Sequence, residues 1–352
     1  MATSGNFVQL HNHTHYSLLD GASKIPDLVK RAKELNMPAV GITDHGNMHG
    51  AYEMWSTAVK EGVKPIIGIE AYVTPETARQ DQTRVSWDTN WNPDIDPQHR
   101  RRNPNDVSGG GLITHLTMWA ETDEGLVNLM KASTDANLEG RVMRYPRMDK
   151  EILAKYSKGI IASSGCPSGI IQTRLLLGQF DEALRAAGEL QDIFGRDNFY
   201  IEFMDHGLKI EKQVTDGLLD IAKKLNAPLL ATNDSHYVRA EDAGSQDAML
   251  CINSGSTLDE PGRFKFDGTG YYLKSAEEMR ELFKDIPEAC DNTLEIAERC
   301  NVMFDDHEDG AFMPQFDCPE GWDETSLFLR KVEEGLEQRY DGHPPIEVLK
   351  QA

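Results

Sequence analysis

Seven short apolar segments, each followed by a turn or a helical pattern, constrain the fold of this chain more than any other feature. They fall at residues 7–10, 39–43, 65–73, 112–120, 159–167, 198–204 and 228–236, where the fifth and seventh include their polar ends. Between them, apolar residues recur at helical spacing, as at Ile25, Leu28 and Ala32. Strands that alternate with helices favour a parallel α/β architecture. We therefore predict an α/β protein built on a closed or nearly closed, distorted seven-stranded (β/α) barrel.

An open, doubly wound sheet is the alternative fold. It is disfavoured because no G-x-G-x-x-G follows the first strand, and the absence of G-x-x-x-x-G-K-[ST] argues against a P-loop enzyme. Residues 75–111 interrupt the alternation with Asn, Asp, Pro and Gly and predict a long loop insertion. From about residue 239 the pattern is mainly helical, which predicts a C-terminal extension.

Composition narrows the function classes. The chain of 352 residues has 58 acidic and 36 basic side chains and a net charge of −22, which argues against binding nucleic acid over a broad basic face. The negative net charge does not argue against binding phosphate groups through divalent cations. The five cysteines are scattered without a C-x-x-C, as expected for reduced thiols. No signal peptide or membrane span is recognisable, so we expect a cytoplasmic protein without a membrane partner.

Two histidines at alternate positions follow the first apolar segment. Because side chains alternate along a strand, His11 and His13 should share one face. A lone His-x-His is more often a surface feature than a metal site, but further candidate ligands occur in or after six of the seven predicted strands. The full set is His11, His13, Asp20, His45, Glu70, His115, Cys166, Asp234 and His236. The carboxyl ends of barrel strands converge, and nine donors suit two or three Zn²⁺, Mn²⁺ or Fe²⁺ ions better than one.

Several sequence blocks carry a family resemblance. They are L-H-N-H-T at 10–14, S-L-L-D-G at 17–21, G-I-T-D-H-G-N at 41–47, P-I-I-G-I-E-A-Y at 65–72, T-H-L at 114–116, S-G-C-P-S-G at 164–169, A-T-N-D-S-H-Y at 231–237 and F-K-F-D-G-T-G-Y-Y-L-K at 264–274. Together these blocks resemble the N-terminal PHP (polymerase and histidinol phosphatase) domain of bacterial replicative DNA polymerase III alpha subunits.

The resemblance implies a PHP-type barrel over residues 1–285 and the beginning of a polymerase palm region over 286–352, without the palm carboxylates. It also implies three metal sites. His11, His13, Glu70 and Asp234 would hold one ion, Glu70, His115 and Cys166 a second, and Asp20, His45 and His236 a third. His13, Glu70 and Asp234 are the expected catalytic residues, and Cys166 is expected to bind as a thiolate.

The activity implied by the resemblance is a metal-dependent 3′→5′ exonuclease that proofreads within a replicative polymerase. The implied partners are a DNA 3′ end, the remainder of the alpha subunit and the replisome, including a sliding clamp reached through other regions. Two alternatives stay open: a small-molecule phosphatase of the histidinol-phosphate type and a non-catalytic, metal-binding scaffold.

Overall fold

The computed structural model describes residues 6–88, 111–304 and 316–350. Packing divides the chain into two compact units, Met1–Phe304 and Asp305–Ala352. The sequence-based division at residue 285, between a PHP domain and the beginning of a palm region, stays a prediction. Most of the predicted insertion at 75–111 lies outside the described residues, and its described part, 75–88 with 111, contains no α-helix.

A seven-stranded barrel forms the centre of the first unit. The described strands of the first unit are β1 (Ala39–Ile42), β2 (Lys64–Val73), β3 (Thr114–Ala120), β4 (Arg141–Val142), β5 (Tyr145–Met148), β6 (Ile160–Ser163), β7 (Phe199–Phe203) and β8 (Leu229–Ala231), of which β4 and β5 form a hairpin beside the barrel. Pairing runs in the order β1-β2-β3-β6-β7-β8. The N-terminal segment closes the ring, since Gln9 bridges to Val40 and Asn12 bridges to Ser235. The predicted barrel is confirmed, with its first strand reduced to isolated bridges.

One strand runs against the predicted direction. β3 is antiparallel to both of its neighbours, β2 and β6, whereas the sequence predicts an all-parallel barrel. The register pairs Val73 at the end of β2 with Thr114 at the beginning of β3, so both residues lie at the same end of the barrel. A parallel neighbour requires a crossover, usually a helix, and the described part of this connection has none. The reversal brings the beginning of β3 to the end of the barrel where the parallel strands finish, hereafter the mouth.

Amphipathic helices surround the barrel where the sequence predicts them. In the described part of the first unit they are α1 (Ile25–Glu34), α2 (Ala51–Glu61), α3 (Asp123–Glu139), α4 (Lys150–Tyr156), α5 (Ile170–Leu176), α6 (Phe180–Phe194), α7 (Lys209–Leu225), α8 (Ala243–Ser254), α9 (Ala276–Leu282) and α10 (Pro287–Arg299). In α1, for example, Ile25, Leu28, Val29 and Ala32 are buried. No helix in the described ranges has the length and apolar character required to cross a bilayer.

The end of the barrel opposite the mouth is filled by apolar side chains. Trp119 is fully buried there, and its indole nitrogen donates to the carbonyl of Leu10 at 3.1 Å. Ile296 and Cys300, at and just after the last turn of α10, belong to the same buried cluster. This packing leaves the polar residues of the strand ends together at the mouth.

The second unit is described over residues 316–350 and contains α11 (Glu324–Tyr340) and α12 (Ile346–Leu349). The Asp323 carboxylate accepts a hydrogen bond from the backbone N–H of Ser326 and caps α11. None of the described residues of these two helices is buried.

Two helical glycines give a matched test of how the helices of the first unit pack. A Cβ at Gly125 in α3 would lie 1.7 Å from the carbonyl oxygen of Gly159, whereas a Cβ at Gly188 in α6 would meet only Leu225 at 3.8 Å. We expect Gly125→Ala to lower the free energy of unfolding by about 1–3 kcal/mol, because backbone must move. Gly188→Ala should raise it by up to about 1 kcal/mol through helix propensity. Urea unfolding measures both, and equal effects would contradict the described packing.

Candidate metal centre

The Glu70 carboxylate lies at the centre of the mouth and is 1% exposed. It occupies the seventh position of β2, near the end of that strand. One oxygen is 2.6 Å from His45 Nδ1 and 3.5 Å from His13 Nε2. The other oxygen is 3.1 Å from His115 Nδ1 and 3.5 Å from His11 Nε2. A single buried carboxylate therefore faces four imidazoles.

The loop after β8 supplies a second carboxylate. Asp234 Oδ1 lies 3.0 Å from His13 Nε2, 3.4 Å from His11 Nε2 and 3.7 Å from His236 Nδ1. Asp234 has a φ of 44°, in the left-handed region. Aspartate tolerates this conformation better than most residues. The turn places its side chain among the histidines.

The remaining predicted ligands lie toward the open side. Asp20 Oδ2 is 2.7 Å from His45 Nε2 and 3.4 Å from His236 Nε2. Cys166 Sγ is 3.3 Å from His115 Nδ1, which the reversed β3 brings to the mouth. The structure thus brings all nine sequence-predicted ligands into one connected cluster.

Several atoms at the centre of this cluster are buried without a hydrogen-bond partner. They are His11 Nε2, His13 Nε2, His45 Nδ1, both carboxylate oxygens of Glu70 and Asp234 Oδ1. The close approach of His45 Nδ1 to Glu70 therefore lacks hydrogen-bond geometry. Each unsatisfied buried polar group costs about 1–3 kcal/mol. Nitrogen and oxygen donors that converge without partners match the coordination chemistry of borderline divalent cations, so the donor set fits the implied metals.

Three triads have donor atoms within 4.8 Å of one another: His13–His45–His236, His11–His13–Glu70 and His45–Glu70–His115. The grouping implied by the resemblance differs, since it assigns His45 to an ion with Asp20 and His236. The triads share members, so the distances show a joined cluster without assigning each ligand to one ion.

Burial and charge set the protonation states at the mouth. Burial alone would raise the pKa of Glu70, but His115 and His45 hold it well below its usual value. Burial, together with His45 and His236, lowers the pKa of His13 to about 3. Glu70 is therefore ionised and His13 neutral, which are the forms that bind metal ions.

Two of the predicted ligands, His11 and Cys166, favour the protonated form. Burial lowers the pKa of His11, but Asp234 and Glu202 outweigh it and raise that pKa well above its usual value. Burial, followed by the charges of Glu70 and Asp234, raises the pKa of the Cys166 thiol well above its ordinary value. A cation bound beside the sulfur would oppose these effects and favour the thiolate.

Glu202 contacts one of the predicted ligands, and the sequence analysis did not identify it. It lies in β7, 1% exposed, and its Oε1 is 2.7 Å from His11 Nδ1. The hydroxyls of Ser163 and Thr232 also donate to this carboxylate. An acceptor at Nδ1 holds a proton there, so a metal ion would replace only the Nε2 proton and bind His11 through that nitrogen. A lone acid within the apolar strand Phe199–Phe203 is the signal that could have identified it.

A second group of hydrogen-bonded residues orients His13. Ser17 Oγ is 3.0 Å from His13 Nδ1 and donates to Asp44 at 2.7 Å. Asp44 is 1% exposed and also accepts from the backbone and hydroxyl of Thr14. This arrangement fixes the His13 proton on Nδ1 and leaves Nε2 for a ligand bond. Asp44 stands directly before His45, and only the tertiary contacts reveal its role.

The cluster opens into a cavity of about 690 Å³. Asp20, His45 and His115 form part of its wall. A volume of this size accommodates a small organic ligand or a nucleotide rather than an ion alone.

Comparison with known proteins decides the family. A family model described as the PHP domain matches residues 9–206, which is more than half of the chain. The chain belongs to the PHP domain family. It is 50% identical over 345 residues to a DNA polymerase III subunit alpha of Mycobacterium tuberculosis. The aligned region covers 98% of this chain and 28% of that protein. It is 49% identical over 348 residues to the DNA polymerase III subunit alpha of Mycobacterium leprae. This alignment covers 99% of this chain and 29% of that protein.

The PHP domain chain therefore spans less than a third of the length of these curated relatives. Among solved structures, one described as a metal-dependent phosphoesterase from Bifidobacterium adolescentis aligns with 80% of this chain and 96% of its own, at 16% identity and a TM-score of 0.39.

We expect Glu202→Gln to weaken Zn²⁺ or Mn²⁺ binding about 10–100-fold, the usual effect of losing a partner that orients a ligating histidine. Titration calorimetry measures the affinity directly. Glu121→Gln is the matched control, because Glu121 follows the far end of β3 and pairs with Arg299 at 3.0 Å. Unchanged affinity in Glu202→Gln would remove Glu202 from the support of the centre.

Proposed function

We propose that this PHP domain is a metal-dependent phosphoesterase that removes nucleotides from the 3′ end of DNA, as a 3′→5′ proofreading exonuclease of a replicative polymerase. The observation that supports it most is the set of unpartnered nitrogen and oxygen atoms at the centre of the mouth, beside a cavity large enough for a nucleotide. A scaffold that binds no metal has no need to leave such atoms unsatisfied, because their burial destabilises the fold.

The ligands divide, in this proposal, among two or three Zn²⁺, Mn²⁺ or Fe²⁺ ions. His11, His13, Glu70 and Asp234 would hold one. Glu70, with His115 and Cys166, would hold a second, and Asp20, His45 and His236 a third. Divalent cations supply an activated water at neutral pH and neutralise charge on a phosphate.

The protein's own residues position this chemistry. Glu70 reaches two sets of histidines with its two oxygens and so joins the sites. Glu202 and Ser17 fix the protons of His11 and His13 on the nitrogens that face away from the centre. Asp20 is the most accessible of the three carboxylates, at 20% side-chain exposure against 15% for Asp234 and 1% for Glu70. Asp20 therefore lies nearest to an incoming strand.

The similarity to polymerase alpha subunits supports a role for this domain within a larger protein. We propose that the domain belongs to such a subunit, acts in DNA replication in the cytoplasm and works with the rest of that subunit and the replisome, including the sliding clamp. The metal ligands in the described residues are sufficient for hydrolysis in this proposal, so the chain can be tested directly.

The test is digestion of a 3′-labelled and a 5′-labelled single strand with Mn²⁺ or Zn²⁺. Asp234→Asn and His13→Ala should each lower the rate by a factor of about 10² or more, because each removes a ligand. Asp216→Asn is the matched control, since it makes the same chemical change at an exposed position of α7. A chelator should abolish the wild-type activity.

Equal digestion by wild type and both ligand variants would identify a contaminating nuclease. Release of phosphate from phosphomonoesters without release of mononucleotides would favour the small-molecule phosphatase. Metal binding without either hydrolysis would favour the scaffold.

A further inference from the structure

The β4–β5 hairpin carries two arginines beside the metal-ligand cluster. Arg141 and Arg144 line the same cavity as Asp20, His45 and His115. Both side chains are exposed. The lining of the cavity therefore carries imidazole groups and the Asp20 carboxylate together with two guanidinium groups.

Neither guanidinium forms a salt bridge with a carboxylate in the described ranges. Arg141 Nε donates to the carbonyl of Met143 at 3.4 Å. Arg144 donates to Asn253 Oδ1 at 3.0 Å and lies 5.3 Å from the ring centre of Tyr145. In a chain with 58 acidic and 36 basic side chains, two neighbouring arginines that pair with none of the described carboxylates are available for an anion.

The hairpin is fixed to the barrel. β5 pairs with the end of β2, where Arg147 is opposite Tyr72. Arg147 is fully buried and donates to four backbone carbonyls, those of Arg79, Asp81, Leu112 and Gly140. Tyr72 in turn contacts Tyr145 at 4.9 Å and His45 at 5.8 Å between ring centres. The arginines thus extend from a rigid support that adjoins the ligands.

Apolar side chains flank the same cavity. Leu18 and Phe264 both line it, and they are 77% and 58% exposed. Exposed apolar and aromatic groups beside cationic ones are the combination that binds unpaired nucleotides, because bases stack while phosphates pair with arginine. A small phosphomonoester requires neither a second phosphate contact nor this apolar rim.

We propose that Arg141 and Arg144 bind the backbone phosphates of an unpaired strand next to the bond that is cleaved, and so set the preference for a polynucleotide over a small phosphate ester. This inference rests on the proposed phosphoesterase function and names the substrate-binding residues of that site. Planar guanidinium groups suit phosphate oxygens geometrically.

The experiment compares wild type with the Arg141→Ala/Arg144→Ala variant on a single-stranded oligonucleotide and on the p-nitrophenyl ester of thymidine 5′-monophosphate, which has one phosphodiester only. We expect the KM for the oligonucleotide to rise about tenfold and hydrolysis of the ester to stay unchanged. Binding of the oligonucleotide is measured separately by fluorescence anisotropy over a salt series. The negative slope of log affinity against log salt concentration should become shallower by about 1.4, since each of the two lost single-strand phosphate contacts contributes about 0.7.

Arg196→Ala/Lys223→Ala is the matched control, because it removes the same charge from exposed positions near the opposite end of the barrel. Unchanged oligonucleotide binding in the hairpin variant would overturn the inference, as would an equal loss with the control. An equal loss on the ester would also overturn it, because the arginines would then hold the reacting phosphate. Wild type that binds through these arginines but hydrolyses neither substrate would contradict the proposed function and leave strand binding supported.

Discussion

The arrangement of the mouth depends on one buried carboxylate. Glu70 is buried against four histidines from three segments of the chain, and the charges of His115 and His45 hold its pKa well below the usual value despite burial. Burying such a charge is unfavourable unless it is compensated. The barrel supplies that compensation because its first strand, β1 and the beginning of β3 bring these histidines to the end of β2.

The reversed strand contributes to the same site. If β3 were parallel to its neighbours, its second residue would lie at the far end of the barrel. Because β3 is antiparallel, His115 is opposite Tyr72 and 3.1 Å from Glu70. Cys166 then reaches His115 from the turn after β6. Strand direction therefore decides whether the cluster has nine members or fewer.

Periodicity and strand ends were sufficient to predict the barrel, its helices and the convergence of the nine candidate ligands. They could not predict the direction of β3, because the hydrophobic pattern of a strand is the same in either direction. They also could not predict Glu202 or Asp44. The roles of these residues depend on contacts with His11 and, through Ser17, with His13, between segments up to 191 positions apart. The division of ligands among ions is likewise a matter of three-dimensional geometry, and overlapping triads share His13, His45 and Glu70.

The most direct test of the metal centre is a crystal structure of the Mn²⁺-loaded chain with anomalous diffraction. We expect two or three anomalous peaks per chain, at least two of them within bonding distance of Glu70 and one beside the sulfur of Cys166. A single peak, or peaks that lie away from Glu70, would contradict this expectation.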